Sequence, residues 1–143
     1  MQQVQRSALV GFSAQQMYNL VNKVEDYPKF LPGCVDSKVI EHDQRSMLAE
    51  VSIAKAGIRN AFVTRNQLSP DESIVMHLDK GPFKSLLGEW RFEALDEQAC
   101  KVILDLKFEF SNKLVAAAFG KVFSELANNM VKAFTQRAKE VYT

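Results

Sequence analysis

Residues 102–134 read VILDLKFEFSNKLVAAAFGKVFSELANNMVKAF, and two periods meet inside them. Val102, Leu104, Leu106, Phe108 and Phe110 alternate with Ile103, Asp105, Lys107 and Glu109. Successive side chains on a strand point to opposite faces, so this is a strand with one strongly apolar face. Beyond Asn112 the spacing changes. Phe119, Val122, Phe123, Leu126, Met130 and Phe134 recur at three and four, the stripe of an amphipathic helix. Asn112 stands where its side chain accepts from a free N–H of the first turn. A helix running from there close to the C-terminus spans on the order of 40 Å, enough to cross the apolar face of a twisted sheet.

Upstream, the same two periods order the rest of the chain. Val4–Val10 reads as a first strand. Ser13 caps a helix in which Met17, Leu20, Val21 and Val24 share a face, with Gln16 at the capping-box position. Pro28 and Pro32 in EDYPKFLPG forbid a long regular element and leave room for a short turn over Tyr27–Leu31. Then period two returns. Val35, Ser37 and Val39 form one face, followed by Met47–Ile53, Phe62–Leu68, Ile74–Leu78 and Trp90–Phe92. The turn signals HDQR, KAGI, SPDE, DKGPFK and LDEQ separate them. Short connections between such strands imply an antiparallel meander. The expected fold class is α+β: a curved antiparallel sheet of about seven strands wrapped around a long C-terminal helix. The space between sheet and helix is either packed core or an apolar ligand cavity.

Length and composition exclude several classes. At 143 residues, one domain covering 1–143 is expected. An apolar fraction of 47% and a net charge of +1 argue against disorder and against a dedicated polyanion or DNA binder. Cys34 and Cys100 are far apart and read as reduced thiols. The sequence contains no bilayer-length apolar run and a poor secretory signal, so a cytoplasmic location is expected. His42 and His77 lack partners at ligand spacing, so no metal site is expected. Neither a nucleophile elbow nor a glycine-rich phosphate loop occurs, and the inward faces offer no obvious acid or base. The expectation is a non-enzymatic protein without a cofactor.

Polar residues on apolar faces carry more information. Thr64 and Asn66 share a face with Phe62 and Leu68. Within a core, Asn66 bonds water or a neighbouring backbone group; alternatively, Thr64 and Asn66 orient the polar head of a ligand, in a cavity lined by Trp90, Phe92, Phe108, Phe110, Ala118 and Val122. Phe30 and Leu31, between two prolines, are either a loop clamped on the core or a lid that touches a ligand tail or a membrane surface. The C-terminal helix carries Lys113, Lys121, Lys132, Arg137 and Lys139 against Glu125 and Glu140. This is either a solvated face or a phosphate-contacting one, and Arg59 and Arg65 extend the second reading.

Longer strings carry a resemblance over nearly the whole chain. EDYPKFLPGC with Ser37 and Val39, GPFKSLLGEW and FEFSNKLVAAAFGKVF resemble the helix-grip, START-like superfamily and, within it, its coenzyme Q-binding and polyketide cyclase-like members. KAGI, TRNQL, ELANNMVKAF and RAKEVY look most like the bacterial ribosome association toxins, the RatA group. The resemblance implies a single START-like domain and two activities. The first is binding of ubiquinone or a similar polyprenyl lipid under the helix, in support of respiratory electron transfer. The second is binding of the large ribosomal subunit, which blocks its joining to the small one. For the first, the site is Phe30, Leu31, Phe62, Thr64, Asn66, Trp90, Phe92, Phe108, Phe110, Ala118 and Val122. For the second, it is Arg59, Arg65, Lys121, Lys132 and Arg137. The Phe-rich apolar faces favour the carrier as the first reading and the ribosome as the alternative.

Overall fold

The computed structural model describes residues 1–55 and 57–142, so Ala56 of the KAGI turn lies outside it. Strand β1 (Gln2–Val10) leads into helix α1 (Ala14–Asn22) and a short 3₁₀ turn (Val24–Lys29). Then follow β2 (Cys34–His42), β3 (Ser46–Lys55), β4 (Ile58–Ser69), β5 (Ser73–Lys80), β6 (Phe83–Asp96) and β7 (Ala99–Phe110). Helix α2 (Lys113–Val141) closes the described chain. Every strand pairing is antiparallel, in the order β1-β7-β6-β5-β4-β3-β2. The first strand thus returns to pair with the last, Gln2 opposite Phe108 and Val10 opposite Cys100.

Local chemistry starts both helices as the residues imply. Ser13 Oγ accepts from Gln16 N at 3.1 Å, and Gln16 Oε1 accepts from Ser13 N at 2.9 Å, a complete capping box. Asn112 Oδ1 accepts from Val115 N at 2.9 Å. The apolar stripe of α2, Phe119, Phe123, Leu126, Ala127, Val131, Phe134 and Ala138, is buried against the sheet. Among the described residues, no helix is long and apolar enough to cross a membrane.

Three expectations change. Helix α1 stops at Asn22, and the 3₁₀ turn takes over at Val24, earlier than Tyr27. Val35 is 46% exposed, because a register shift between Cys34 and Asp36 moves it off the apolar face that holds Val39. Strand β6 begins at Phe83, within the stretch that reads as a turn, and Phe83 is buried.

The GPFK string has a structural reason. Gly81 has φ +152°, and a Cβ there would lie 2.7 Å from Phe62 Cβ and 3.3 Å from Phe62 Cα. Only glycine lets the β5–β6 turn fold this closely over β4. Pro82 follows, its carbonyl accepting from Ser111 N at 3.1 Å, and Phe83 then enters the core.

Candidate functional site

Two ring clusters fill much of the space between sheet and helix. Phe83 is the hub of the first, with centroids at 4.8 Å from Phe123, 5.3 Å from Phe110, 5.8 Å from Phe62 and 6.1 Å from Phe119. Phe108 packs edge-on to Phe123 at 4.8 Å. The second cluster centres on Phe134, which meets Phe30 at 5.1 Å, Trp90 at 5.3 Å and Tyr27 at 5.3 Å. Phe92 lies parallel to Trp90 at 6.3 Å. Edge-to-face and offset contacts of this kind are how aromatic cores pack.

The residues expected to line a ligand cavity are therefore divided. Phe62, Phe108 and Phe110 belong to the first cluster, and Trp90, Phe92 and Phe30 to the second. Thr64 and Asn66 face inward as expected and are 7% and 6% exposed. One hydrogen bond joins them, Thr64 Oγ1 donating to Asn66 Oδ1 at 2.8 Å. Leu31 is buried and Phe30 is half-buried against the rings under α2, the placement of a loop clamped on the core. Val122 is half-buried against the core. Ala118 is exposed, which corrects its expected place. One residue before the buried Phe119, it is turned about 100° away from the apolar stripe.

Open space lies instead near the C-terminal end of α2. A cavity of about 520 Å³ is bounded by Leu20 and Asn22 of α1, Val39 and His42 of β2, Met47 of β3, and Arg137, Val141 and Tyr142. Lys23, Glu25 and Asp26 give it a charged rim. Asn22 Oδ1 is buried without a partner, and such an acceptor costs about 1–3 kcal/mol unless something donates to it. The Arg137 guanidinium lies 5.2 Å from the centroid of Phe30 and borders the same cavity. Tyr142 Oη donates to Gln16 O at 2.8 Å and ties the end of α2 to α1. One side is apolar, with a guanidinium donor and an amide at its edge. That arrangement suits a mainly apolar molecule bearing a carbonyl, a carboxylate or a hydroxyl.

Tyr27 Oη donates to Val21 O, and burial pushes its pKa up. Cys34 is pushed from its usual 9.0 up to about 11, chiefly by burial, with a backbone hydrogen bond at Asp36 pulling the other way. Both groups keep protons that the unfolded chain gives up. Stability is therefore full below about pH 9 and falls as pH rises toward 11. Denaturant unfolding at pH 8, 9.5 and 10.5 should show this decline, less steep in Cys34→Ala. The folded thiol should also alkylate roughly 100-fold more slowly than an unfolded one at pH 8. A flat pH profile would contradict the burial. Among the described residues, no group of three or more His, Cys, Asp or Glu is placed to hold a metal ion.

The five basic residues expected to act together do not form one patch. Arg59 lies 4.0 Å from Asp36 and Arg65 3.7 Å from Glu41 on the outer sheet face, so both are partly neutralised. Lys121 and Lys132 are exposed on α2. Eleven residues make about three turns, so these two lie in one line along the helix. Arg137 sits on another flank, over Phe30. Lys55 bonds Glu125 at 2.6 Å and holds that carboxyl below its usual range.

A curved antiparallel sheet closed over a long C-terminal helix defines the helix-grip, START-like class. The Zhui aromatase/cyclase from Streptomyces matches at a TM-score of 0.85 with 18% identity, covering 99% of this chain and 96% of that one. A START superfamily protein from Mycobacterium smegmatis matches at 0.80 with 17% identity, covering 97% and 98%. Residues 10–135 match the family model described as polyketide cyclase / dehydrase and lipid transport, and the chain belongs to that family. Over 142 residues it is 59% identical to the ribosome association toxin RatA of Vibrio cholerae, covering 99% of both chains. The RatA of Escherichia coli is 55% identical over 143 residues, covering 100% of this chain and 90% of that one. A mitochondrial coenzyme Q-binding protein COQ10 homolog B from Xenopus laevis is 28% identical, covering 95% of this chain and 57% of the relative. The family read from EDYPKFLPGC and GPFKSLLGEW is thus the family found.

Proposed function

We propose that this chain binds the large ribosomal subunit and blocks its joining to the small one. On this reading it acts in the cytoplasm as a binding protein, with neither catalysis nor a cofactor. The observation that carries the reading is the likeness, over essentially the full length, to proteins named ribosome association toxins, at 59% and 55% identity. The residues alone favour the carrier reading, and this likeness reverses the order. The ring-filled core is in keeping with the reversal, since Trp90, Phe108 and Phe110 pack against neighbouring rings.

The test is subunit joining in a sucrose gradient. Added chain should shift joined ribosomes toward free subunits and migrate with the large one. Undiminished joining, with the chain left at the top of the gradient, would overturn the reading.

A second reading is favoured by the cavity beside Arg137 and the unpartnered Asn22 Oδ1. An apolar molecule with oxygen-bearing ends, such as ubiquinone or another polyprenyl lipid, would occupy it. Solvent extraction and mass spectrometry of the purified protein decide this reading, and an empty extract from quinone-rich cells counts against it.

A further inference from the structure

A second concave surface lies on the other flank of α2, where the helix meets strand β1. It is a groove of about 350 Å³ whose charged lining is Arg6, Lys132 and Lys139, with no carboxylate. Ser7, Asn128 and Gln136 supply neutral polar groups. We propose that this groove is the RNA-binding surface of the protein, with Arg6, Lys132 and Lys139 on the phosphate backbone. The inference rests on the ribosome reading and deepens it.

Several observations converge on it. Lys132 and Lys139 are exposed and seven residues apart, close to two helical turns, so their side chains leave the helix in one direction. They stand about 10 Å apart along the axis, with Lys121 about 16 Å further along the same line. Successive phosphates of a duplex rise only a few Å along its axis (about 3.4 Å per strand in B-form DNA), so lysines about 10 Å apart can reach different phosphates of one backbone. Arg6 is fixed by its own hydrogen bonds, donating to Gln5 O at 2.8 Å and to Asn128 Oδ1 across the groove. A guanidinium has five donors, and two bonds leave it capacity for a phosphate.

Of the acids nearby, two are engaged elsewhere, while Glu140, beside Lys139, stays exposed. Glu125 is held by Lys55, and Asp105 accepts from Gln3 Nε2 at 2.9 Å. Arg59 and Arg65, by contrast, already face carboxylates of their own. Thr135 Oγ1 donates to Val131 O at 2.8 Å, which leaves its lone pairs as acceptors for a ribose 2′-hydroxyl. A bilayer fits less well. The apolar stripe of α2 faces the sheet, and the groove exposes no large apolar side chain to enter lipid.

The experiment uses the full chain, isolated large subunits, a labelled single-stranded uridine oligonucleotide, a labelled RNA duplex, and phosphatidylglycerol vesicles. Lys132→Gln/Lys139→Gln leaves the Arg6–Asn128 bond untouched, and Arg6→Gln is then added. Lys84→Gln/Arg91→Gln, on the outer sheet face, is the charge-matched control for the lysine pair. Thermal midpoints establish that each variant is folded. Wild type should bind RNA and subunits with strong salt dependence. The triple variant should lose about 100-fold in affinity, and the slope of log K against log salt should become shallower by about 2–3. The control should match wild type.

Subunit binding that is equal in wild type and the triple variant overturns the groove and leaves the ribosome reading standing. RNA binding through the groove without any subunit binding does the reverse. Binding to neither overturns both. Vesicle binding without RNA binding assigns the groove to lipid and overturns the proposal.

Discussion

Replacing Phe83 by alanine is expected to lower the thermal midpoint by about 10–20 °C. Phe83 is 6% exposed and touches rings from both the sheet and the helix, Phe62, Phe110, Phe119 and Phe123 among them. Removing a buried Phe ring costs about 3–5 kcal/mol, from lost transfer energy plus the cavity left behind. Each kcal/mol is worth about 2–4 °C in domains somewhat larger than this one and more in smaller ones. The site has little scope to collapse, because its neighbours come from β4, β7 and α2 and are each fixed by their own contacts. Phe83→Leu keeps most of the volume and should cost less than half as much. Leu114→Ala, at an 81% exposed position, should shift the midpoint by no more than a degree or two. Calorimetry of the three decides the matter. A loss under about 5 °C for Phe83→Ala would mean that Phe83 is not the hub.

Gly81→Ala is expected to have the second-largest effect, about 2–5 kcal/mol of stability. Two costs combine. A φ of +152° is a backbone state that residues with a Cβ avoid, at about 1–3 kcal/mol. The new Cβ would also sit 2.7 Å from Phe62 Cβ and 3.3 Å from Phe62 Cα, and the second of these cannot swing aside. The strain would be relieved by lifting the β5–β6 turn off β4, which also pulls Phe83 away from its ring neighbours. Gly11→Ala is the matched control, since nothing lies within 4 Å of a Cβ there. Urea unfolding should separate the two clearly. Equal midpoints would remove the close approach as the reason for glycine at 81.

Much of this was legible in the residues, for identifiable reasons. The period-two faces place Thr64, Asn66, Trp90 and Phe108 inward, and the structure agrees because one buried sheet face fixes register strongly. Ser13, Gln16 and Asn112 announce their caps because capping is a local interaction. Val35 escaped because a bulge inserts a residue without any composition signal. Phe83 escaped because it follows Gly81 and Pro82, which read as turn only. Ala118 is different, since the stripe through Phe119, Val122 and Phe123 already turns it outward. The grouping of the cations was not legible, because carboxylate partners such as Asp36 for Arg59 are brought by pairing between strands, which a linear reading does not contain. Arg6 was missed for the same reason, as its neighbour Asn128 is 122 positions away.

The pairing of β1 with β7 also sets when the molecule becomes complete during its synthesis. Gln2 waits for Phe108, and Arg6 waits longer still for α2. At translation rates of about 5–20 residues per second, the opening strand stays unpaired for roughly 5–20 s while its partner is made. The central meander from β2 to β6 can assemble in that interval from neighbouring hairpins. The closing ladder then joins segments about 100 positions apart, a step slowed by loop-closure entropy. The basic groove is built from β1 and α2, so a chain whose α2 has not yet been made does not carry it. Any activity that uses the groove begins only once α2 has folded against the opening strand.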